Sequence, residues 1–414
     1  MARSWFSSCG DRARSAWRIG AAGVVASALL ATPLAAQTGA ARPGSASGPG
    51  ESLLEQAAAA ERDLRIGAAV DRLYQLLIEH PGTPDAAAAR LRLARLLALS
   101  GQLPQAILQC QLLRDELPPG DPQREEALAL STVLQRRLRA GRAPAAPYFG
   151  VTEPVAARGV QAMDEPRAIL FESEARFLLH DEGAGRVYRA GPESGGVLPA
   201  PPEPTAIATA PGGTLFVAGK TGLVTVPAGR TSQLTATWGG RARQLKKVRS
   251  MAALPDGSLL VIDRDYQGLL RCQLAGAACA PWGPAGKHRV VRVGPTGWVY
   301  LLDDRGEVAR VIDTAQRQIA VVGPIVGGAK FEKIVDIALD GSHGLYLLDS
   351  DAKCVCVVHF GLGPDGRIAP LLTAAAALPQ QGDRALKNPS ALGVSPSGSL
   401  YVAGKSSSRV VRFR

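Results

Sequence analysis

From residue 166 onward the sequence repeats a unit of short β-rich runs, and this repeat restricts the possible folds more than any other feature. Six segments align with one another, among them "PTAIATAPGGTLFVAG" and "PSALGVSPSGSLYVAG". Each has an apolar strand, a turn that usually carries Gly, a second strand of L-x-V type and a final Asp or Gly. The final positions lie 38, 44, 40, 46 and 55 residues apart, at Asp181, Gly219, Asp263, Asp303, Asp349 and Gly404. A period of about 40 to 45 residues with three or four strands per unit is typical of a β-propeller.

The repeated residues resemble those of NHL-repeat propellers. The shared pattern is Pro, a small residue, Ile or Leu, Gly, then Leu-Tyr-Val and Arg-Val, and it is clearest in the last repeat. The first and fifth repeats depart from it at the Gly, where Ala175 and His343 stand. Because this family is commonly six-bladed, the resemblance implies an all-β, six-bladed propeller over residues 157–414.

The last repeat predicts how the ring closes. It ends after its third strand, with Val410, Val411 and Phe413 alternating against polar residues. Its outer strand must therefore come from elsewhere, and the unassigned stretch "ARGVQAM" (157–163) is the candidate. Such closure pairs the two ends of the propeller and removes an open sheet edge.

Residues 51–142 are rich in Ala and Leu and predict an α-helical domain that resembles a two-repeat tetratricopeptide (TPR) solenoid with a capping fifth helix. Small, large and helix-ending residues recur at the intervals of that family: Ala57, Ala69, Leu73, Leu76 and Pro81, then Ala94, Leu97, Gly101, Ala106, Cys110, Leu113 and Pro118. The resemblance implies a protein or peptide partner in the groove that the first helices line. A spacer or a dimerisation unit is the alternative.

The first 36 residues have the layout of a secretory signal peptide. Four arginines precede the uncharged run "IGAAGVVASALLATPLAAQ", and small residues precede Gln37, so cleavage is expected after Ala36. An uncleaved anchor is the alternative, although about 18 weakly apolar residues barely span a bilayer. No later stretch could span a membrane. We therefore expect an exported bacterial protein, periplasmic or extracellular, with linkers at 37–50 and 143–156.

Five cysteines remain after removal of the leader, so the core cannot depend on a regular set of disulfides. Cys272 and Cys279 flank "QLAGAA" across a predicted hairpin and are candidates for a disulfide. Cys354 and Cys356 share one face of a strand at positions i and i+2, a poor geometry for a bridge, and are expected to pack as thiols.

Positive charge is concentrated in the C-terminal part. The formal charge of +11 becomes +8 when four Arg and one Asp leave with the signal peptide. Residues 146–414 contain 30 basic and 23 acidic residues, against 13 and 12 in 37–145. For an exported protein this excludes nucleic acid as the expected partner and favours an anionic envelope polymer, a lipid head group or an acidic protein. An Arg-rich genome composition would produce the same excess.

Reading the innermost strands column by column gives a candidate ligand site. One column contains Arg167, Arg249 and Arg289, which would gather at one mouth of the central channel, and Arg292 interrupts a second column of mostly small residues. Guanidinium groups suit carboxylate, phosphate or sulfate, so the hypothesis is a basic funnel for an anionic ligand. The alternative is that these arginines pair with acidic residues of neighbouring blades, Asp336 included.

A second basic segment, "RARQLKKVR", lies between two repeats and contains Arg241, Arg243, Lys246 and Lys247. It is interpreted as a solvated loop or as a docking patch. The recurring Asp181, Asp263, Asp303 and Asp349 are expected to accept hydrogen bonds from backbone amides of their turns rather than to bind a metal.

No catalytic, metal-ligand or cofactor set is recognisable. Gluconolactonase-like propellers use carboxylate and Asn ligands on the axis, but this chain has a single Asn, Asn388, and only Asp336 in the innermost columns. The four propeller histidines fall in different columns, unlike a zinc site. The sequence thus predicts an exported non-catalytic binding or scaffold protein with no cofactor, in which the helical groove takes a protein and the propeller face a protein or an anionic envelope ligand. A propeller hydrolase or lyase of the gluconolactonase-like type is the alternative.

Overall fold

The computed structural model describes residues 49–414, with gaps at 143–147, 150–151, 156–162, 192–194, 211–212, 221, 227–228, 230, 239–240, 364, 381–384, 387 and 406–409. The predicted signal peptide lies outside the described residues, as does the linker at 37–50 apart from its last two residues, which are helical. No helix in the described part of the chain is long and apolar enough to cross a membrane.

Five helices form the described N-terminal region. They are α1 (Pro49–Arg62), α2 (Ile66–Glu79), α3 (Pro84–Leu99), α4 (Leu103–Glu116) and α5 (Pro122–Arg142). Thr83 caps α3, because its hydroxyl accepts a hydrogen bond from the Ala86 amide at 3.2 Å and Pro84 opens the first turn. Consecutive helices contact one another, α1 also contacts α3, and α3 also contacts α5. The small and large residues that the sequence singled out inside the helices are buried.

Six sheets form the propeller, and the strands of each sheet are given below from the innermost strand outward. Blade 1 contains β2 (Pro166–Phe171), β3 (Phe177–Asp181), β4 (Arg186–Ala190) and β5 (Gly196–Val197). Blade 2 contains β6 (Pro204–Thr209), β7 (Leu215–Gly219), β8 (Gly222–Val226) and β9 (Thr231–Ser232). Blade 3 contains β12 (Val248–Ala253), β13 (Leu259–Asp263), β14 (Leu269–Gln273) and β15 (Ala278–Trp282), extended outward by β10 (Thr235–Trp238) and β11 (Arg241–Gln244).

The second half of the ring follows the same plan. Blade 4 contains β16 (His288–Val293), β17 (Val299–Asp303), β18 (Ala309–Ile312) and β19 (Gln318–Val322), and a small hairpin, β20 (Ile325–Val326) and β21 (Ala329–Lys330), follows it. Blade 5 contains β22 (Ile334–Leu339), β23 (Leu345–Asp349), β24 (Cys354–Leu362) and β25 (Ile368–Ala377). Blade 6 contains β26 (Pro389–Val394), β27 (Leu400–Gly404), β28 (Val410–Phe413) and β1 (Thr152–Val155). Each innermost strand contacts those of both neighbouring blades, so the ring is closed.

The closing strand is not the one that the sequence suggested. β1, Thr152–Val155, pairs antiparallel with β28, whereas residues 156–162 lie outside the described range and Met163 is buried outside any strand. The predicted linker at 143–156 therefore contains the outer strand of blade 6. Glu153 on β1 forms ion pairs with Arg412 and Arg414. Pro154 is tolerated because this strand is the outermost of its sheet.

The helices and the propeller share one apolar core, centred on α3 and blades 4 and 5. Eleven of the sixteen residues of α3 are buried. Three arginines of α3 and α5 donate hydrogen bonds to propeller carbonyls: Arg95 to Gly341 at 3.0 Å, Arg136 to Gly398, and Arg137 to Phe360 at 3.2 Å. α3, one of the first helices that the resemblance assigned to the partner groove, therefore packs on blade 5 together with α5.

Candidate functional site

A β-bulge at the same position of every innermost strand builds the mouth of the channel. In each blade the pairing of the first two strands skips one residue, and these six residues are Arg167, Thr205, Arg249, Arg289, Val335 and Ser390. A bulge leaves its residue outside the ladder and redirects its side chain. All six line one cavity of about 670 Å³ at the face where the innermost strands begin. They are the column that the sequence analysis identified, so the structure brings its three arginines together.

The cavity, called the funnel here, is strongly basic. Arg292 also lines it, although it comes from the other column of the sequence analysis. Eight basic side chains lie in its wall, against three acidic ones: Arg167, Arg249, Arg264, Arg289, Arg292, Lys333, Lys353 and Lys405, against Glu182, Asp336 and Asp351. Such an excess in a concave site attracts anions.

Three of the four predicted arginines have carboxylate partners. Arg167 lies 2.7 Å from both Glu165 and Glu182. Arg249 pairs with Asp304 of blade 4, which lowers the pKa of that carboxyl. Arg292 donates to Asp336 of blade 5 at 2.9 Å. The alternative of pairing across blades therefore applies to Arg249 and Arg292, while Arg167 is neutralised within its own blade.

Arg289 differs from the other three. No carboxylate among the described residues lies within ion-pair distance of it, and its Nη1 donates to the Ile334 carbonyl at 3.2 Å. Its Nε is buried without a hydrogen-bond partner in the described structure. Burial and the nearby Arg249 lower its pKa. A buried donor that is left unpaired costs free energy.

Asp336 joins blades 5 and 6 beneath the funnel. One carboxylate oxygen accepts from Arg292 and from the Ile337 amide, and the other accepts from the Leu392 amide at 2.9 Å. Full burial raises the pKa of this carboxyl to about 6. With both oxygens occupied, Asp336 fixes the Arg292 guanidinium and serves the ring rather than a ligand.

Four basic residues of the funnel were missed by the sequence analysis: Arg264, Lys333, Lys353 and Lys405. They come from turns, whereas only the innermost strands had been compared. Arg264 and Lys405 directly follow the final Asp or Gly of their repeats, and so do Glu182 and Asp304. Reading that turn column would have found two of the four additional cations, Arg264 and Lys405, and two of the acids that pair with the arginines, Glu182 and Asp304.

The recurring aspartates accept backbone hydrogen bonds, as the sequence predicted. Asp181 accepts from the amides of Asp164 and Glu165 at 2.9 and 2.8 Å. Asp349 likewise accepts from the amides of Glu332 and Lys333 at 2.7 and 3.2 Å. Each carboxylate thus holds the segment that enters its blade, which positions the funnel residues next to it.

The histidines are buried at separate places. His180 contacts the Pro204 carbonyl at 2.9 Å, and burial lowers its pKa. His343 lies at the helical interface, 3.3 Å from the Tyr300 hydroxyl and with its ring over Trp298, and burial lowers its pKa to about 3. Within the described ranges no group of three His, Cys, Asp or Glu side chains is arranged to hold a metal ion.

The other predicted residues lie away from the funnel or at its edge. The segment with Arg241 and Arg243 forms the edge strand β11 instead of the expected loop, and it is exposed. Lys246 and Lys247 follow it and line a neighbouring cavity of about 540 Å³. Cys272 and Cys279 are joined by a disulfide, whereas the Cys354 and Cys356 sulfurs lie 3.8 Å apart and remain thiols.

Comparison with known proteins adds little to the fold. No protein-family model and no curated protein matches the chain. Solved structures with a similar shape include an auxiliary nutrient-binding protein from Bacteroides ovatus (11% identity, 64% of this chain and 77% of that one, TM-score 0.46) and a streptogramin B lyase (9%, 64% and 97%, 0.43). A gluconolactonase from Xanthomonas campestris is also similar (13%, 64% and 97%, 0.43). These likenesses are too distant to assign a ligand or a reaction, and the six blades follow from the strand pairing of the chain itself.

Proposed function

We propose that this chain is an exported, non-catalytic binding protein whose propeller takes an anionic ligand in the basic funnel. The observation that carries the proposal is the row of bulges, which directs the side chains of Arg167, Arg249 and Arg289 towards one cavity. The excess of basic over acidic side chains in the wall supports the same ligand class.

The funnel chemistry favours binding over catalysis. Each acidic residue of the funnel already has a partner: Glu182 pairs with Arg167 and Arg264, Asp336 pairs with Arg292, and Asp351 accepts a hydrogen bond from the Ser350 hydroxyl. General acid-base work needs a carboxyl or imidazole that can reach a substrate proton. His180 hydrogen-bonds to a backbone carbonyl, and no observation favours the gluconolactonase-like hydrolase or lyase.

The NHL-like and TPR-like assignments and the location in the envelope belong to the same proposal. The disulfide Cys272–Cys279 fits an oxidising compartment. Because α3 and α5 are packed on blade 5, we assign the helical unit a supporting role. A protein partner of that unit would meet its outer face, where Ile78, Leu108 and Leu112 are exposed.

Thermal unfolding of the purified protein tests the proposal at constant ionic strength, with chloride, sulfate, phosphate or citrate added. A ligand at 100 times its Kd stabilises the native state by about 2.7 kcal/mol, so an oxyanion that binds should raise Tm above the chloride control. We expect this gain to disappear in the variant Arg167→Gln/Arg249→Gln/Arg289→Gln. The control Arg241→Gln/Arg243→Gln/Lys246→Gln removes three charges outside the funnel and should keep the gain. Equal gains in both variants would disprove the funnel as the site.

A further inference from the structure

The cations of the funnel divide into two groups. Arg167, Arg249, Arg264, Arg292 and Lys405 each form an ion pair with a described carboxylate. Arg289, Lys333 and Lys353 also line the funnel, but no described carboxylate lies within 4.0 Å of their charged groups. Asp351, the acidic residue of the wall on that side, accepts a hydrogen bond from Ser350 at 3.0 Å.

The three uncompensated cations belong to neighbouring segments of blades 4 and 5. Arg289 donates to the carbonyl of Ile334, the residue next to Lys333. One oxygen of Asp349 accepts from the amides of both Lys333 and Ala352, at 3.2 and 2.9 Å, and Ala352 precedes Lys353. The Lys333 carbonyl accepts from the Ser350 amide at 3.0 Å. Hydrogen bonds from the Arg289 and Asp349 side chains, together with one backbone bond, thus hold the three segments together along one side of the mouth.

Building on the proposed function, we infer that Arg289, Lys333 and Lys353 form the seat of a compact soluble anion with two or more negative charges, of phosphate or polycarboxylate type. Three cations on one side of a cavity, none with a carboxylate partner among the described residues, match a multivalent oxyanion better than a single carboxylate. Arg289 lines the funnel, and its only hydrogen bond within the described structure is the one from Nη1 to the Ile334 carbonyl. The paired cations on the remaining sides shape the wall and are already neutralised.

The wall also favours a soluble anion over a membrane surface. The apolar side chains lining the funnel are short or buried in the strands, such as Ala168, Ile207 and Val290. None of the large exposed hydrophobic residues of the described chain lines it. A protein that lies on a bilayer buries such residues among the lipid chains.

Calorimetric titration of the full protein with pyrophosphate and with citrate tests the seat. The titration is done in about 50 mM salt, where screening of charge interactions is weak. The variant Arg289→Gln/Lys333→Gln/Lys353→Gln is expected to bind pyrophosphate at least about 30-fold more weakly, since it removes direct donors. The variant Lys247→Gln/Arg264→Gln/Lys405→Gln removes the same charge and is expected to lose no more than about fivefold, because these cations are already paired with Asp265, Glu182 and Glu165 and act on the ligand only through screened, long-range attraction. Arg289→Gln alone, with an expected loss of about tenfold, serves if the triple variant does not fold.

The outcomes separate the two proposals. Equal losses in both triple variants would leave the funnel as an anion site and overturn the seat. Failure of the wild-type protein to bind phosphate, pyrophosphate or citrate would overturn the proposed function as well. Binding to vesicles that contain phosphatidylglycerol, without binding to pyrophosphate or citrate, would overturn the assignment of a soluble ligand.

Discussion

Arginines line both faces of this propeller, but they are used differently. At the helical face Arg95 and Arg137 are buried and donate to the carbonyls of Gly341 and Phe360. At the funnel face Arg167 and Arg249 face a cavity and pair with carboxylates, while Arg289 has no carboxylate partner among the residues that the structure describes. The same side chain thus fixes two folded units together at one end and leaves donors for a ligand at the other. Residue type alone does not distinguish these roles.

Both faces depend on ring closure, so opening the ring should give the largest effect. Removal of residues 410–414 deletes β28 and leaves β1 and β27 without their shared partner. We expect loss of cooperative unfolding and of any anion binding, measured by circular dichroism and titration. Arg412→Gln is the control, since it keeps β28 and removes the ion pair with Glu153 and the contacts to Tyr401, which should together cost about 1 kcal/mol. A truncated chain that still unfolded cooperatively would contradict this role of β28.

At the helical face, Arg137→Met should destabilise the protein by about 1 to 3 kcal/mol. The substitution keeps much of the side-chain volume but leaves the buried Phe360 carbonyl without this donor. Urea unfolding monitored by circular dichroism measures the change. Arg139→Met, at an exposed position of the same helix, is the matched control and should stay within about 0.5 kcal/mol.

The helical face should also be the more acid-sensitive one. The pKa of His343 is about 3 in the folded protein because of burial, and in the unfolded chain it returns to the ordinary value of 6.5. The unfolded state therefore binds the extra proton between these values, so the contribution of neutral His343 to stability is lost as pH falls from 6.5 towards 3. His343→Asn should reduce the slope of stability against pH in this window, as measured by urea unfolding at several pH values. Asn tolerates the positive φ of 66° at this position, and an unchanged slope would contradict the assignment.

The smallest change in stability is expected at the funnel. Arg289→Gln removes a guanidinium that has no carboxylate partner in the described structure and whose hydrogen bond to the Ile334 carbonyl is only partly buried, so the unliganded protein should change by about 1 kcal/mol or less. Urea unfolding without added oxyanion gives the value. A loss comparable to that of Arg137→Met would mean that Arg289 is structural, and the contrast between the two faces would fail.

The fold was predictable where it repeats. Six aligned segments gave six blades, and the turn glycines Gly257, Gly297 and Gly398 lie in the left-handed region, with φ of 81°, 86° and 82°. His343 adopts that conformation in blade 5, which explains why the fifth repeat departs from the pattern. β1 and β11 were missed because "TEPV" and "RARQ" lack the alternation of apolar residues that indicates a strand.

Four of the eight basic residues of the funnel were predictable for the same reason. The arginine column is visible because the bulge recurs at one position of the repeat. Which cations are neutralised is not visible, since the partners come from other blades: Asp304 lies 55 positions after Arg249, and Asp336 lies 44 after Arg292. The packing of blade 5 on α3 and α5 was equally hidden, because an amphipathic helix does not specify what covers its apolar face.

The pairing of β1 with β28 also sets the order in which parts of the protein can fold. Glu153 and Arg412, which face each other across that pair, are 259 positions apart in the chain. Blades 1 to 5 contain only strands that lie between these two in sequence, so the ring stays open until β28 pairs with β1. Pairings between residues so distant in sequence form slowly and expose strand edges in the meantime. Ring closure should therefore be a late step of folding, whereas the helices can form early from local contacts.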